Sequence, residues 1–340
     1  MQAWFKWLTV PILLIGLTTP LEAQEVIVLP GVEETIAWFE KEDWWGEEKR
    51  GVQLTVPRLM IAGISERWQK LAPQLPVPTK KELFYRVMLP MVMHANTMVL
   101  NRRERLQRIK QSLAGGAALS SEDDAWLREM AVILRIADRE KAGRITDPVE
   151  LGKVVDQALF KLDVIPPGLV LGQAAYESGY GTSRFAVEGN ALFGQWTFGG
   201  DGLVPEQQRK KLGDHRIASF EWPFDSVRGY FINLSSHPAY ESFRRIRAER
   251  KAAGKSLSSL ALADGLKNYS ERGQEYVETL KGVIRVNRLD IADDARFRDE
   301  PMRFLLGAAD PTAAAKLRTD IDAMRRSGEI QAILARMRLE

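Results

Sequence analysis

The segment 169–175 sets the strongest condition on the fold. It opens at Pro166-Pro167, closes at Gly179 and Gly181, and between them is apolar on nearly every side through Leu169, Val170, Leu171, Ala174 and Ala175. A helix of that kind is stable only when other elements surround it. The rest of the chain must supply that shell, and it has the material. Of 340 residues, 45% are hydrophobic and 27% charged, an ordinary globular balance that argues against wholesale disorder and against a multi-span membrane protein. There is no cysteine, which removes thiol catalysis, disulfide scaffolding and thiolate metal sites. Three scattered histidines (His94, His215, His237) make no ligand cluster, so chemistry is left to carboxylates, hydroxyls and amides.

The chain divides by composition. Residues 1–23 read as a signal peptide: Lys6 carries the positive charge, 7–17 is almost wholly apolar, and Leu21-Glu22-Ala23 ends in a small residue. The apolar stretch, interrupted by Pro11 and Gly16, is shorter than the roughly 20 residues that cross a bilayer. The leader implies a periplasmic or secreted protein, with an uncleaved anchor as the alternative; the formal net charge is +3. Residues 24–78 read as an acidic, Pro-rich arm. Glu33, Glu34, Glu40, Glu42, Asp43, Glu47 and Glu48 face only Lys41, interleaved with Trp38, Phe39, Trp44 and Trp45, and the run LAPQLPVP at 71–78 favours an extended linker.

Residues 79–146 read as a helical N-terminal region, with Leu83, Val87, Met91, Ala95 and Met98 at helical spacing and Pro90 expected to kink or divide that helix. Asp147-Pro148-Val149-Glu150 combines an acidic N-cap, proline at the first helical position and a glutamate three residues after the cap, and it opens a domain over 147–289. Over 192–220 the pattern turns to alternation around Gly199-Gly200-Asp201-Gly202, as in a small β-hairpin lobe. Residues 290–340 read as a polar linker and a C-terminal helical tail. The class is mainly α. The basic run Arg244, Arg245, Arg247, Arg250, Lys251 and Lys255 reads as a solvated helix face, with anionic polymers as the other candidate contact. The terminal helix packs on its own domain, or meets a protein partner or membrane surface.

Glu177 ends the otherwise apolar helix just before a glycine-containing turn. Apolar surroundings and the negative end of the helix dipole both disfavour the ionised carboxylate, so its proton affinity should rise toward the range of a general acid. The alternative is a glutamate satisfied by Arg184 or by backbone donors.

The run LGQAAYESGYGTSRFA at 171–186, followed by GNALFGQW at 189–196, closely resembles the glucosaminidase family of peptidoglycan hydrolases, glycoside hydrolase family 73, and within it the Bax-type proteins. Further matches are Gly202-Leu203-Val204-Pro205, the run from Ser226 to Leu234 with His237-Pro238-Ala239-Tyr240, and Asn268-Tyr269-Ser270 before Tyr276. Two positions depart from the family pattern: Ala191 replaces its second asparagine and Tyr180 its tryptophan. The resemblance implies a lysozyme-like catalytic domain over 147–289 with Glu177 as proton donor. It also implies a second carboxylate on the hairpin lobe and Tyr269 near the catalytic glutamate; no motif match decides among the local candidates Glu206, Asp201 and Glu221, and Glu206 is favoured over Glu221, which directly abuts Phe220.

Sugar rings stack on aromatic faces, so Phe193, Trp196, Tyr230 and Tyr269 are the expected cleft aromatics, with Asn190 fixing the turn beside them. The implied substrate is a peptidoglycan glycan strand, cut at the β-1,4 bond after N-acetylglucosamine. No metal or organic cofactor is implied, and export argues against nucleic acid. Muramidase or lytic transglycosylase action on the same fold, and glycan binding without cleavage, are the alternatives.

Overall fold

The computed structural model describes residues 25–46, 48, 51–61, 66–197, 202–204 and 216–328. The expected signal peptide lies outside them. Strand β1 (Val26–Leu29) leads into α1 (Val32–Lys41), β2 (Thr55–Val56), β3 (Leu59–Ile61), α2 (Glu66–Leu71) and the long α3 (Val77–Ala114). Then come α4 (Ser121–Ile133), α5 (Arg139–Arg144), α6 (Pro148–Lys161), α7 (Pro167–Ser178) and α8 (Arg184–Gly189). A small lobe holds β4 (Trp196–Thr197), β5 (Gly202–Leu203) and β6 (Arg216–Ala218). The chain continues through α9 (Pro223–Ser236), α10 (Glu241–Ala252), α11 (Ser259–Ala263) and α12 (Gln274–Val286) to β7 (Arg296–Phe297), β8 (Arg303–Gly307) and α13 (Pro311–Ser327). The protein is mainly α. Among the described residues no helix is long and apolar enough to cross a membrane.

The apolar helix does what its composition requires. α7 is enclosed by α3, α11, α12 and the 3-10 turn Leu289–Asp294, and every residue from Pro167 to Ala175 is buried. Glycines permit that closeness: a Cβ on Gly168 would lie 2.3 Å from the Leu289 carbonyl oxygen, and one on Gly172 would lie 2.9 Å from Ile284 Cγ1. The Asp147 cap is present, its Oδ2 accepting from the Glu150 amide at 3.3 Å.

Three expectations from the sequence need correction. The stretch around LAPQLPVP is not an extended linker: it forms the end of α2, a 3-10 turn at Ala72–Gln74 and the start of α3. Prolines there occupy first-turn positions, where no amide hydrogen is needed. Pro90 does not divide α3. A proline inside a helix strips the carbonyl four residues earlier of its donor. That carbonyl belongs to Arg86, and Trp44 Nε1 donates to it at 2.9 Å. The supposed arm is thereby part of the core. Phe39 and Trp44 are buried, the Arg86 guanidinium lies 4.7 Å over the Trp44 ring, and Arg86 pairs with Glu48 at 2.6 Å and Glu82 at 3.2 Å.

The expected linker and tail likewise join the body. β8 is the centre of a parallel sheet ordered β1-β8-β3, with Val26 opposite Phe304 and Leu59 opposite Arg303, and β7 pairs in parallel with β2. α13 packs on β1, where Arg318 donates to the Val28 carbonyl at 2.8 Å. The lobe is also more than a hairpin: β6 lies between β4 and β5, antiparallel to both.

Part of the basic run on α10 departs from its expectation as well. Arg244 and Arg247 are each 1% exposed. Helix C-termini present carbonyls that have no partner within the helix, and these guanidinium groups satisfy them. Arg247 donates to the carbonyls of Phe160, Lys161 and Asp163 at the end of α6, and Arg103 on α3 donates to those of Leu159 and Leu162. Arg244 does the same for Leu234 and His237 after α9.

Candidate active site

Glu177 lies in the last turn of α7, half-buried, with α12 beside it. The helix stops in three consecutive left-handed residues: Gly179 (φ 58°), Tyr180 (φ 60°) and Gly181 (φ 75°). A tyrosine in that region is strained unless its surroundings hold it. Here they do. Trp68 Nε1 donates to the Tyr180 carbonyl at 2.9 Å, Gln69 Nε2 to that of Thr182 at 3.1 Å, and the Tyr180 ring meets Phe84 and Tyr85 edge-on. From inside, Ser178 Oγ accepts from the Gly181 amide at 2.8 Å. Helices α2 and α3 thus brace the turn that carries Glu177. Replacing Trp68 by Phe removes one donor worth about 1 kcal/mol. Amide hydrogen exchange over residues 180–183 is expected to speed up roughly fivefold, and unchanged exchange would show that the brace is not needed.

Among the described residues the carboxyl group has one polar side-chain contact. Tyr276, on the first turn of α12, donates its hydroxyl to Glu177 Oε1 at 2.8 Å. The Tyr276 oxygen in turn accepts from Gln173 Nε2 at 2.8 Å, and Gln173 Oε1 accepts from the Tyr230 hydroxyl. This buried chain runs one way, from Tyr230 through Gln173 and Tyr276 to Glu177. Because Gln173 already supplies a hydrogen to the Tyr276 oxygen, the Tyr276 hydrogen is left to point at Oε1. The other carboxyl oxygen, Oε2, faces Gly194, where a Cβ would sit 3.7 Å away. Burial raises the Glu177 proton affinity, and the Tyr276 bond opposes it in part. Among the described residues no neighbouring ionised carboxylate contributes.

The other expected site residues divide sharply. Phe193 is 1% and Tyr230 0% exposed, and their rings stack on each other with centroids 4.2 Å apart. Neither has a free face for a sugar, so both belong to the core and not to the cleft. Tyr269 does not reach Glu177 with its hydroxyl, which donates to the Phe193 carbonyl at 2.9 Å. Its ring instead lies flat against Tyr276, with centroids 5.6 Å apart and planes 9° from parallel. Asn190 is left-handed (φ 50°), and its Nδ2 donates to the Phe220 and Glu221 carbonyls at 3.1 Å, tying β6's exit to α8's end.

Glu206, Asp201 and the side chain of Trp196 lie outside the described residues; the Trp196 backbone pairs with Ile217. Glu221 is exposed. Gln173 and Tyr276 lie in the stretches that carry the resemblance, but the sequence alone assigns neither of them a role. The available signal was Gln173 itself, a polar residue in a buried helix four positions before Glu177, which places both on one face. Among the described residues no group of three or more acidic or histidine side chains could hold a metal ion.

The glucosaminidase family, described as mannosyl-glycoprotein endo-beta-N-acetylglucosaminidase, matches residues 153–289, which run from α6 to the end of α12 and its following turn. The protein bax of Escherichia coli (strain K12) is 29% identical over 213 residues, covering 63% of this chain and 72% of the relative. No solved structure matches the chain significantly.

Proposed function

We propose that the protein is a peptidoglycan hydrolase cutting the β-1,4 bond after N-acetylglucosamine, with Glu177 as general acid, a reading supported by the match of residues 153–289 to the glucosaminidase family and by the likeness to protein bax. The observation that carries the reading is the Tyr276–Glu177 contact. A neutral carboxyl group that accepts at Oε1 carries its proton on Oε2, the oxygen beside Gly194. Donation from Oε2 to the leaving glycosidic oxygen leaves a carboxylate, and Tyr276 already points a hydrogen at it. The same hydrogen bond therefore grows stronger as charge develops, which is the condition for lowering a barrier rather than merely binding substrate.

The developing sugar cation needs a second partner. A carboxylate of the lobe, Glu206 in the first place, or the N-acetyl group of the substrate serves that role. With Phe193 and Tyr230 in the core, the exposed Tyr176, edge-on to Tyr276 at 5.8 Å and bonded by Arg272, is the better sugar platform. Export to the periplasm or beyond is part of this reading and rests on residues 1–23.

Mass spectrometry of fragments from purified peptidoglycan tests the bond assignment. Ends with reducing N-acetylglucosamine are expected. Ends with reducing or 1,6-anhydro muramic acid would replace it with muramidase or transglycosylase action, which one glutamate can support. Co-sedimentation without fragments would leave a glycan-binding protein.

A further inference from the structure

The end of α7 and the start of α12 meet at two consecutive residues. Glu177 receives the Tyr276 hydroxyl at 2.8 Å. Tyr176, the residue before it, accepts a hydrogen bond at its own hydroxyl oxygen from Arg272 Nη1. Arg272 stands just outside the Gly273 cap of α12 and Tyr276 inside its first turn, so one helix start addresses both the acid and its neighbour. The two tyrosine rings complete the contact, edge-on with centroids 5.8 Å apart and planes at 68°.

Arg272 is itself held in place. Its Nη2 donates to Glu275 Oε1 at 2.6 Å, and its amide to Ser270 Oγ at 3.3 Å, inside a turn that the Gly273 amide closes on the Ser270 carbonyl at 3.0 Å. Helix stability does not ask for this arginine. A cation ahead of a helix start lies at the unfavourable end of the dipole, and an ion pair whose side chains are 42% and 70% exposed adds little to stability. What the arrangement secures is the phenol tip of Tyr176, a half-exposed aromatic whose hydroxyl has Arg272 as its one hydrogen-bond partner among the described residues.

We infer that Arg272 is a positioning residue for the glycan: clamped by Glu275, it locks the Tyr176 ring as the platform for a sugar flanking the bond that Glu177 cuts. The inference rests on the hydrolase reading and adds to it the side chain that sets glycan affinity. An untied tyrosine at a helix end is free to change rotamer, and ordering it only when the sugar arrives would weaken binding. Arg272 orders it beforehand. Platform and acid are adjacent residues, so the sugar held on Tyr176 lies beside the cleaved bond. Its grip is the same before and during bond breaking, which makes it a contribution to KM and not to kcat.

Steady-state cleavage of peptide-free glycan strands tests the clamp, with Tm recorded for every variant. Arg272→Gln is expected to raise KM roughly fivefold, with kcat within about twofold and Tm within about 1 °C of wild type. Tyr176→Phe keeps the ring and loses the hydroxyl; it should raise KM by a similar factor, and the double variant should go no further than either alone. Lys153→Gln, which breaks an exposed pair with Glu150 on α6, is the control and should match wild type throughout. An unchanged KM in Arg272→Gln overturns the clamp and leaves the hydrolase reading standing, whereas a wild-type protein that does not cut glycan overturns both. Effects that multiply in the double variant would make Arg272 a direct substrate contact and overturn its action through Tyr176. A fall in Tm of several degrees in Arg272→Gln would make the arginine structural and overturn the inference on that ground.

Discussion

Glu177→Gln is expected to slow glycan cleavage roughly a thousandfold while leaving the fold intact. Glutamine keeps the shape of the side chain and still accepts from Tyr276 through its own Oε1, so only the transferable proton is lost. Burial holds the Glu177 carboxyl above the ordinary range of a glutamate, and on the proposed reading the acid form is the active one. The rate of the wild-type protein should therefore fall on the alkaline side, as pH rises through that raised value. Tyr276→Phe sharpens the prediction. Tyr276 stabilises the charged form and lowers the Glu177 value, so its removal should move the alkaline limb to higher pH and cut the maximal rate about tenfold. A pH profile that keeps its position in Tyr276→Phe would show that this hydroxyl does not govern the acid, and a Glu177→Gln protein with wild-type turnover would remove Glu177 from the chemistry.

The second large effect concerns stability. Asp293 sits in the 3-10 turn after α12 and ties the starts of two helices together: Oδ1 accepts from the Gly168 amide at 3.0 Å and from Ser259 Oγ, and Oδ2 from the Ser259 amide at 2.8 Å. Asp293→Ala leaves three donors without a partner and is expected to cost roughly 3 kcal/mol, a fall in Tm of about 6–12 °C. The loss should depend on pH. Burial pushes Asp293 up to about 6 from 3.8 despite these bonds, so the folded chain binds this proton more tightly than the unfolded one. The group's contribution is then full below about 3.8 and is lost as pH rises through about 6. Calorimetry of wild type and variant should show the gap in Tm narrowing between pH 5 and pH 7. A gap that widened would reverse the sign and make the ionised carboxylate the stabilising form.

What could be read in the sequence was local. The apolar helix ending on Glu177 and the Asp147 cap each fit within a few residues, and both appear in the structure. The mainly α class and the small lobe followed from periodicity in the same way. The sheet joining residues 26–29, 59–61 and 303–307 could not be read, because strands of three to five residues whose partners lie at the other end of the chain leave no periodic signal. Arg244 and Arg247 of α10 could not be read for another reason: a guanidinium capping a buried helix end and one hydrated at the surface are the same letter. Phe193 and Tyr230 show the matching ambiguity among aromatics, since a ring that stacks on sugar and a ring that stacks in the core are chosen for the same property. Tyr276 and Tyr269 both stand in the matching motif, and only the placement of α12 decides which hydroxyl reaches Glu177.

The sheet has a consequence for biogenesis. Its middle strand, β8, is the last of the three to be synthesised, and β1 and β3 have no pairing with each other. The helices around α7 can collapse while the nascent chain is still emerging, but the N-terminal strands keep bare edges until nearly the whole polypeptide exists. Contacts so distant in sequence form slowly. A ribosome product truncated before Arg303 would present two unmatched strand edges to its neighbours, the usual starting point for aggregation and a natural mark for proteolytic clearance.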